Sequence, residues 1–477
     1  MPRNAIGKFI RSPFSTYGAS DNLSRVRDSG GRCAYDYGFG FSLRRGRQHS
    51  PYNRSTHSYH LVQYLIGLSY STINQGFEMA SRSAWPAIGH EKLEWTPIAR
   101  AWATREEAEL AGRTLTYSAA IPSAIATQNY VPGSDLTSFA EEAVLAVTRF
   151  DSTVGREIAP FSSILLRSEA AASSRIENLT ASARAILSAE AGDTSKRNAT
   201  QIAANTASMR AALSLASHLN ADAILAMHAA LMEGDERHNP GQWRNEPVWI
   251  GTGGVSPIGA EFVAPNHVRV PALIDDLVRY IARNDVPVII QAAIAHAQFE
   301  TIHAFTDGNG RTGRSLLQAM LRAKGVTRLV TIPVSAGLLT DTEGYHRALT
   351  SYRAGSPDEI IRLVAGSCLT AINNADLLVA DIDNARSRWR NVVKARKDSA
   401  LWHVIDVASR QPVLSATIVA EELAISPTNV YRYLDQLVRA GVLRAFSVHR
   451  QGRFWRADEI LQALDAFAAR AGRRDRG

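Results

Sequence analysis

From residue 134 onward, apolar side chains recur three and four positions apart in one segment after another, which confines most of the chain to α-helices. "TSFAEEAVLAVTRF", "ATQIAANTASMRAALSLASHL", "ADAILAMHAALME", "VPALIDDLVRYIARND", "VPVIIQAAIAHAQFETIHAF" and "GRSLLQAMLRAKG" each carry such a face, divided by turns rich in Gly, Asn, Asp and Pro. One stretch breaks the pattern. "EPVWIGTGGVSPIGAEFVAP" holds two strand-like runs, Val248 to Ile250 and Glu261 to Val263, joined by a Gly-rich loop. A hairpin on a helical body has no sheet to join, so it invites a functional reading.

The 477 residues exceed one ordinary domain, and 45% hydrophobic content is enough for two or three globular units. Cys33 and Cys368 are the only cysteines, which gives no disulfide framework and no Cys-based zinc site, so a cytoplasmic setting is expected. No uninterrupted apolar run approaches the roughly 20 residues of a membrane helix, and no membrane partner is expected. The net charge of +8 is uneven: residues 1–78 carry +6 and residues 399–477 carry +3, leaving about −1 between them. Residues 1–78, rich in Ser, Gly, Arg, Tyr and Asn without periodicity, read as a disordered leader, with Met79 as an alternative start of the chain. Residues 79–190 are expected to form an N-terminal helical region, 191–385 a catalytic core and 399–470 a C-terminal unit.

The densest chemistry lies in "HAFTDGNGRTGR", residues 303 to 314. One helix should end near His303 and the next begin near Arg311, behind a Gly308-Asn309-Gly310 turn. Glycines let successive N–H groups converge, and the helix start adds its positive dipole end, which together favour an anion. Arg311 and Arg314 fall on neighbouring faces of the first turn and can reach an extended polyphosphate. Asp307 offers a hard oxygen suited to Mg²⁺ shared with phosphate oxygens, and His303 a base able to take a proton from an attacking hydroxyl. The set reads as phosphoryl or nucleotidyl transfer from a nucleoside triphosphate.

His303, Phe305, Asp307, Gly308, Asn309, Gly310, Arg311 and Arg314 match every fixed position of HxFx(D/E)GNGRxxR, so this segment resembles the Fic family. The resemblance implies a mainly α fold: a Fic helical domain with a β-hairpin flap. It also implies transfer of AMP from ATP, with Mg²⁺, to a Ser, Thr or Tyr hydroxyl of a target protein or of the enzyme itself. By this likeness His303 is the catalytic base and Asp307 the metal ligand, while Gly308, Asn309, Gly310, Arg311, Thr312, Gly313 and Arg314 form the nucleotide cradle. The hairpin would be the flap that docks the target by main-chain pairing, along Ala260, Glu261, Phe262 and Val263, and Arg244 before it reads as structural.

"SSRIEN" places Ser173, Glu177 and Asn178 in the pattern (S/T)xxxE(G/N), which resembles the inhibitory helix of Fic proteins. Glu177 would pair with Arg314, take the place of the ATP γ-phosphate and keep catalysis low at rest. His296 reads as a core or supporting group, while Tyr345 and Asn374 fall in helices where such proteins build the adenine pocket. His238 and His346 have no partners at metal-ligand spacing.

After "VVKARKDSA", the runs "LWHVIDVASRQP", "SATIVAEELA" and "SPTNVYRYLDQLVRAGVL" read as three helices, with Ser426 as N-cap and Pro427 in the first turn of the last. "LRAFSVHRQGRFWRA" reads as a two-stranded wing, so the unit is similar to a winged helix-turn-helix. Thr428, Asn429, Tyr431 and Arg432 would lie on its recognition helix and Arg450 and Arg453 on its wing, to meet DNA or a protein or to support a homodimer. The competing reading is a DNA-binding transcriptional regulator whose Fic domain senses nucleotide. Removal of AMP from a modified target is a further reading of the enzyme.

Overall fold

The computed structural model describes residues 84–97, 105–157, 162–251, 256–448 and 452–472; the leader 1–78, Met79, Arg450 and the tip of the hairpin loop lie outside them. The described chain opens with β1 (Gly89–Trp95), α1 (Arg105–Leu110) and β2 (Leu115–Ile121). Helices α2 (Ser134–Glu157), α3 (Ser162–Ile176), α4 (Ala183–Glu190), α5 (Arg197–Ser214) and α6 (Ala221–Leu231) follow. The hairpin strands β3 (Trp249–Ile250) and β4 (Phe262–Val263) lead into α7 (Val270–Ala282), α8 (Val288–Ile302), α9 (Asn309–Ala323), α10 (Val334–Leu338), α11 (Thr342–Arg353) and α12 (Asp358–Val392). The C-terminal unit runs α13 (Ala400–Arg410), β5 (Val413–Ser415), α14 (Ala416–Leu423), α15 (Pro427–Arg439), β6 (Arg444–Val448), β7 (Gly452–Arg456) and α16 (Asp458–Ala471).

Helix α8 is the axis of the core. Every residue from Ile289 to Ile302 is buried, as expected of a helix that packs on all sides, here against α2, α7, α9, α11 and α12. Two of its buried amides bond to backbone: Gln291 donates to the carbonyls of Tyr280 and Arg283, and Gln298 to that of Ser123. Helix α12 is apolar and long enough over part of its length to span a bilayer, yet its buried residues Ile361, Val364, Cys368, Ala371, Ala375, Leu378, Ile382 and Trp389 recur at helical spacing and pack within the protein. The helix also runs past residue 385, where the core was expected to end. Trp389 Nε1 donates to Glu459 Oε1 at 2.7 Å and so ties α12 to α16.

The region 79–190 is not helical throughout, because β1 and β2 form an antiparallel pair with Gly89 opposite Ile121 and Trp95 opposite Leu115. "GHEKLEW" and "LTYSAAI" alternate in burial, the mark of strands with one face covered. The hairpin packs against this pair on both of its faces. Val263 packs with Tyr117, Ala119, Trp95 and Trp249, and Phe262 with Ala120 and Ile88, so the hairpin shares apolar clusters with a second two-stranded sheet. In β3–β4, Trp249 faces Val263 and Ile250 faces Phe262.

In the C-terminal unit the two expected wing strands gain a third, giving the order β5-β7-β6. Ser426 does occupy the N-cap position with extended backbone, but its side chain makes no capping bond; Pro427 follows at the first turn. Thr428, Asn429, Tyr431 and Arg432 are exposed on α15, while Val430, Leu434 and Leu437 are buried. Arg453 pairs with Asp435 at 3.3 Å and lies 5.0 Å from the Trp455 ring centre.

Candidate active site

The loop between α8 and α9 is shaped by contacts that consume most of its own polar groups. His303 ends α8 with φ 50° and ψ 61°, a left-handed conformation that a non-glycine residue holds only when its surroundings enforce it. Arg244 does the enforcing: its guanidinium donates to the carbonyls of His303 (2.7 Å), Glu246 (3.0 Å) and Pro265 (2.5 Å), and its backbone N–H donates to Ala304 O (3.0 Å). This one buried side chain fixes the loop to the hairpin's flanks, which bears out its structural reading. Asn309 closes the loop, its amide accepting from Phe305 N–H at 2.9 Å and donating to Phe305 O at 2.8 Å.

His228 of α6, which the sequence did not single out, braces the same loop. Its Nδ1 accepts from Gly241 N–H (3.0 Å), its Nε2 faces Asp307 O (3.2 Å), and its ring stacks on Phe305 with centres 3.7 Å apart. An imidazole that accepts on one side and donates on the other must be neutral; burial holds its pKa down to about 4. Gly308 has φ 78°, and a β-carbon there would lie 2.9 Å from Leu231 Cδ2. Gly308→Ala should therefore lower stability by about 1–3 kcal/mol, the cost of a strained backbone residue, read as a fall in Tm.

The groups left for a ligand converge on a pocket of about 280 Å³, lined by His303, Thr306, Asp307, Gly308, Asn309, Gly310, Arg311, Glu177, Leu179 and Gln201. The ring Nδ1 of His303 leans on Glu300 O at 3.4 Å and must donate to it, so Nε2 is the basic nitrogen. Burial depresses the His303 pKa to about 4, leaving the ring neutral at ordinary pH. Asp307 accepts from Gly308 N–H at 2.6 Å, and its side chain is 46% exposed. Its separation of 3.4 Å from Arg311 Nη2 is longer than a strong charge-assisted bond, so both keep capacity for a ligand. The first N–H groups of α9 have no acceptor within their own helix and lie at its positive end.

Glu177 occupies part of this pocket. It stands one residue past α3, where Leu179 N–H bonds to Ser174 O and Asn178 N–H to Arg175 O, a helix ending that puts Asn178 at φ 60°. The last position of the pattern is thus Asn or Gly because the chain turns left-handed there. Glu177 Oε1 accepts from Arg314 Nη2 at 2.7 Å, while Ser173 accepts from Arg314 Nε through its hydroxyl (2.8 Å) and from Nη2 through its carbonyl (3.0 Å). Arg314 is buried, and although burial opposes its charge, Glu177 and its neighbours hold its pKa above the usual value. The Glu177 carboxyl is likewise pulled down by Arg314 against the upward push of burial. A β-carbon on Gly310 would fall 2.2 Å from Glu177 Oε1, so only glycine admits the carboxylate here.

Not every residue of the expected cradle faces the pocket. Thr312 is fully buried, and a β-carbon on Gly313 would meet Glu300 and Phe299 at 2.9 Å, so Gly313 serves the crossing of α9 over α8. Asn309 lines the pocket with its amide already committed to Phe305, and Arg314 is reached through Glu177. Tyr345 lies behind the loop, 2.8 Å from His296 Nε2 and near Glu300, whose carboxyl burial raises to about 7. Asn374 bonds Phe467 O and Arg470 on α16; neither residue lines the pocket. Of the flap residues, Phe262 and Val263 are buried, Phe262 beneath Arg353 at 3.8 Å, and Glu261 is exposed. His238 is 3.4 Å from Thr306, and among the described residues no group of three or more His, Cys, Asp or Glu could hold a metal alone.

The helix start thus brings together a neutral imidazole, a half-open carboxylate and arginines around one pocket. Comparison with known proteins gives it a lineage. Residues 218–321 match the model of the Fic/DOC family. A probable protein adenylyltransferase of Aquifex aeolicus is 44% identical over 70 residues, 14% of this chain and 22% of that protein. The protein adenylyltransferase fic-1 of Caenorhabditis elegans is 28% identical over 167 residues, 33% of this chain and 30% of the relative. The chain thus spans less than a third of the length of these curated relatives. A crystal structure of a Fic family protein from Desulfovibrio desulfuricans superposes with a TM-score of 0.46 at 22% identity, covering 69% of this chain and 97% of that one. The segment 218–321 is thus a Fic/DOC domain by its match to that family's model.

Proposed function

We propose that the protein is a protein adenylyltransferase that moves AMP from ATP to a Ser, Thr or Tyr hydroxyl of a target protein or of itself, held at low activity by Glu177. One observation carries this reading: a neutral His303 with its basic nitrogen free of the Glu300 contact shares a pocket with the start of α9 and with a carboxylate bound to Arg314. In the reaction His303 Nε2 takes the hydroxyl proton, the oxygen bonds to the α-phosphorus, and the bond to pyrophosphate breaks, so that pyrophosphate leaves. Arg311 and the N–H groups of α9 bind the negative phosphates, and Arg314 would receive the terminal phosphate once Glu177 withdraws. Asp307 fits Mg²⁺ as the single protein carboxylate of a site completed by phosphate oxygens. The ion when bound neutralises phosphate charge.

The test is incubation with labelled ATP and Mg²⁺, followed by mass spectrometry of modified peptides; a Glu177→Gly protein that labels nothing, itself included, would refute the reading. The pH profile is a separate check. With its pKa depressed to about 4, His303 stays unprotonated down to about pH 5, so labelling should remain on its plateau there and fall only as pH approaches 4. Loss of activity with an apparent pKa near 6.5 would assign the base elsewhere.

We read the hairpin as the target-docking flap, through its backbone rather than the buried side chains of Phe262 and Val263. The C-terminal unit we read as a winged helix that localises the enzyme or selects its partner, in a cytoplasmic setting. The exposed row Thr428, Asn429, Tyr431 and Arg432 on α15 favours a second reading, DNA binding by a nucleotide-sensing regulator. Labelling of protein by Glu177→Gly separates the two, since a pure sensor transfers nothing.

A further inference from the structure

The helix that leads to Glu177 is fastened on two opposite sides. Residues four apart share one face of a helix, and α3 carries two such rows. Glu169 and Ser173 form the first, which Glu177 continues just past the helix end. This row turns toward α9 and α10: Glu169 accepts from Gln318 Nε2 at 3.0 Å and from Ser335 Oγ at 2.7 Å, and Ser173 accepts from Arg314. Ser163, Arg167 and Arg175, spaced by multiples of four, form the second row and meet the C-terminal unit. Ser163 Oγ and Arg167 Nη1 both donate to Arg410 O, at 3.2 and 2.8 Å, and Arg167 Nη2 bonds Gln411 Oε1. Arg175 Nη1 donates to Ala468 O at 2.7 Å.

The two carbonyls have a common position. Arg410 ends α13 and Ala468 lies in the last turn of α16, where carbonyls lack partners within the helix and the helix dipole is negative. Two arginines of α3 thus cap two helices of the C-terminal unit. The chain beyond Glu177 is tied to the same unit, for Ala183 N–H donates to Asp465 of α16 at 2.9 Å and Arg184 lies 4.7 Å from the Phe446 ring centre in β6. Glu177 therefore sits between two attachments to α16, one at Arg175 and one at Ala183, in a stretch from 177 to 182 that has no helix of its own to hold it.

We propose that the C-terminal unit is the clamp of the inhibited state: by holding α3 and the start of α4 from behind, it keeps Glu177 against Arg314. Loosening these attachments lets the carboxylate withdraw and opens Arg314 to the terminal phosphate, so transfer rises. The C-terminal unit then controls the rate without contributing a group to the pocket. This inference rests on the proposed autoinhibited transferase, but the hold on α3 is measurable without activity.

The full chain carrying Arg175→Ala together with Asp465→Ala tests the clamp. Arg167 is left in place, because its loss would strand the buried carboxylate of Glu190, which lies 2.8 Å from Nε. Self-labelling by labelled ATP should rise about twofold to thirtyfold over the wild type, the range over which contacts between coupled sites tune one another. The same pair of changes added to Glu177→Gly should leave its rate unaltered, since the carboxylate to be released is gone; contacts that served stability alone would lower both rates along with Tm. Hydrogen exchange reads the hold directly. The amides of Glu177, Asn178 and Leu179, which bond to the carbonyls of Ser174 and Arg175, should exchange severalfold faster in the double variant while those of α8 keep their rates. If the double variant loses Tm, Asp465→Ala alone, at an exposed residue, carries both comparisons. Unchanged exchange would overturn the clamp. Faster exchange with labelling that does not rise, or that rises equally in both backgrounds, would overturn its control of Glu177. A Glu177→Gly protein that labels nothing refutes the transferase instead, and exchange still judges the hold on α3.

Discussion

Glu177→Gly should raise self-labelling by labelled ATP about tenfold to a hundredfold over the wild type, the worth of one charge-assisted hydrogen bond of roughly 1.5–3 kcal/mol. The contact removed is the 2.7 Å bond from Arg314, and the substitution suits the local backbone, since the neighbouring Asn178 already turns left-handed. Removing Glu177 leaves Arg314 still held by Ser173, so the arginine remains in place to meet a phosphate instead of collapsing. Glu177→Gln discriminates further, for it keeps the size of the side chain and loses only its charge; it should fall between the wild type and Glu177→Gly. Equal rates for all three would remove Glu177 from control of the reaction.

His303→Ala in the Glu177→Gly background should then lower labelling by about 10²–10⁴-fold, the usual contribution of a positioned general base. ATP binding should change little, because the proposed phosphate contacts come from α9 and its arginines. Calorimetry with a non-hydrolysable ATP analogue would check that separation. A double variant that labels as fast as Glu177→Gly would mean that the proton leaves by another route. Arg244→Lys offers a control on geometry: a lysine cannot span the carbonyls of His303, Glu246 and Pro265 together, so it should cut the rate while leaving nucleotide affinity near normal.

The sequence exposed the helices and the loop because both are encoded locally. Apolar spacing marked α8 and α9 to within a residue or two, and the Gly-Asn-Gly turn announced a tight helix start. The partnership of Glu177 with Arg314 was legible for a different reason, a resemblance linking positions 137 residues apart that no local rule connects. What escaped depends on tertiary contact. Gly313 looks like a cradle residue until α8 is seen to pass within van der Waals distance of it, and Thr312 until its burial is seen. His228 was hidden because nothing in a buried helix tells which turn will meet a loop 79 residues later. The β1–β2 pair was missed because each strand is short, half its residues are polar, and the register that joins them is non-local.

Helix α12 runs unbroken through 35 residues, about 52 Å at the rise of an α-helix, from its contacts with α8 to the C-terminal unit. A rod of that length has no hinge within it. A partner gripping the C-terminal helices would therefore be felt at the core as a tilt or torque delivered through a stiff lever.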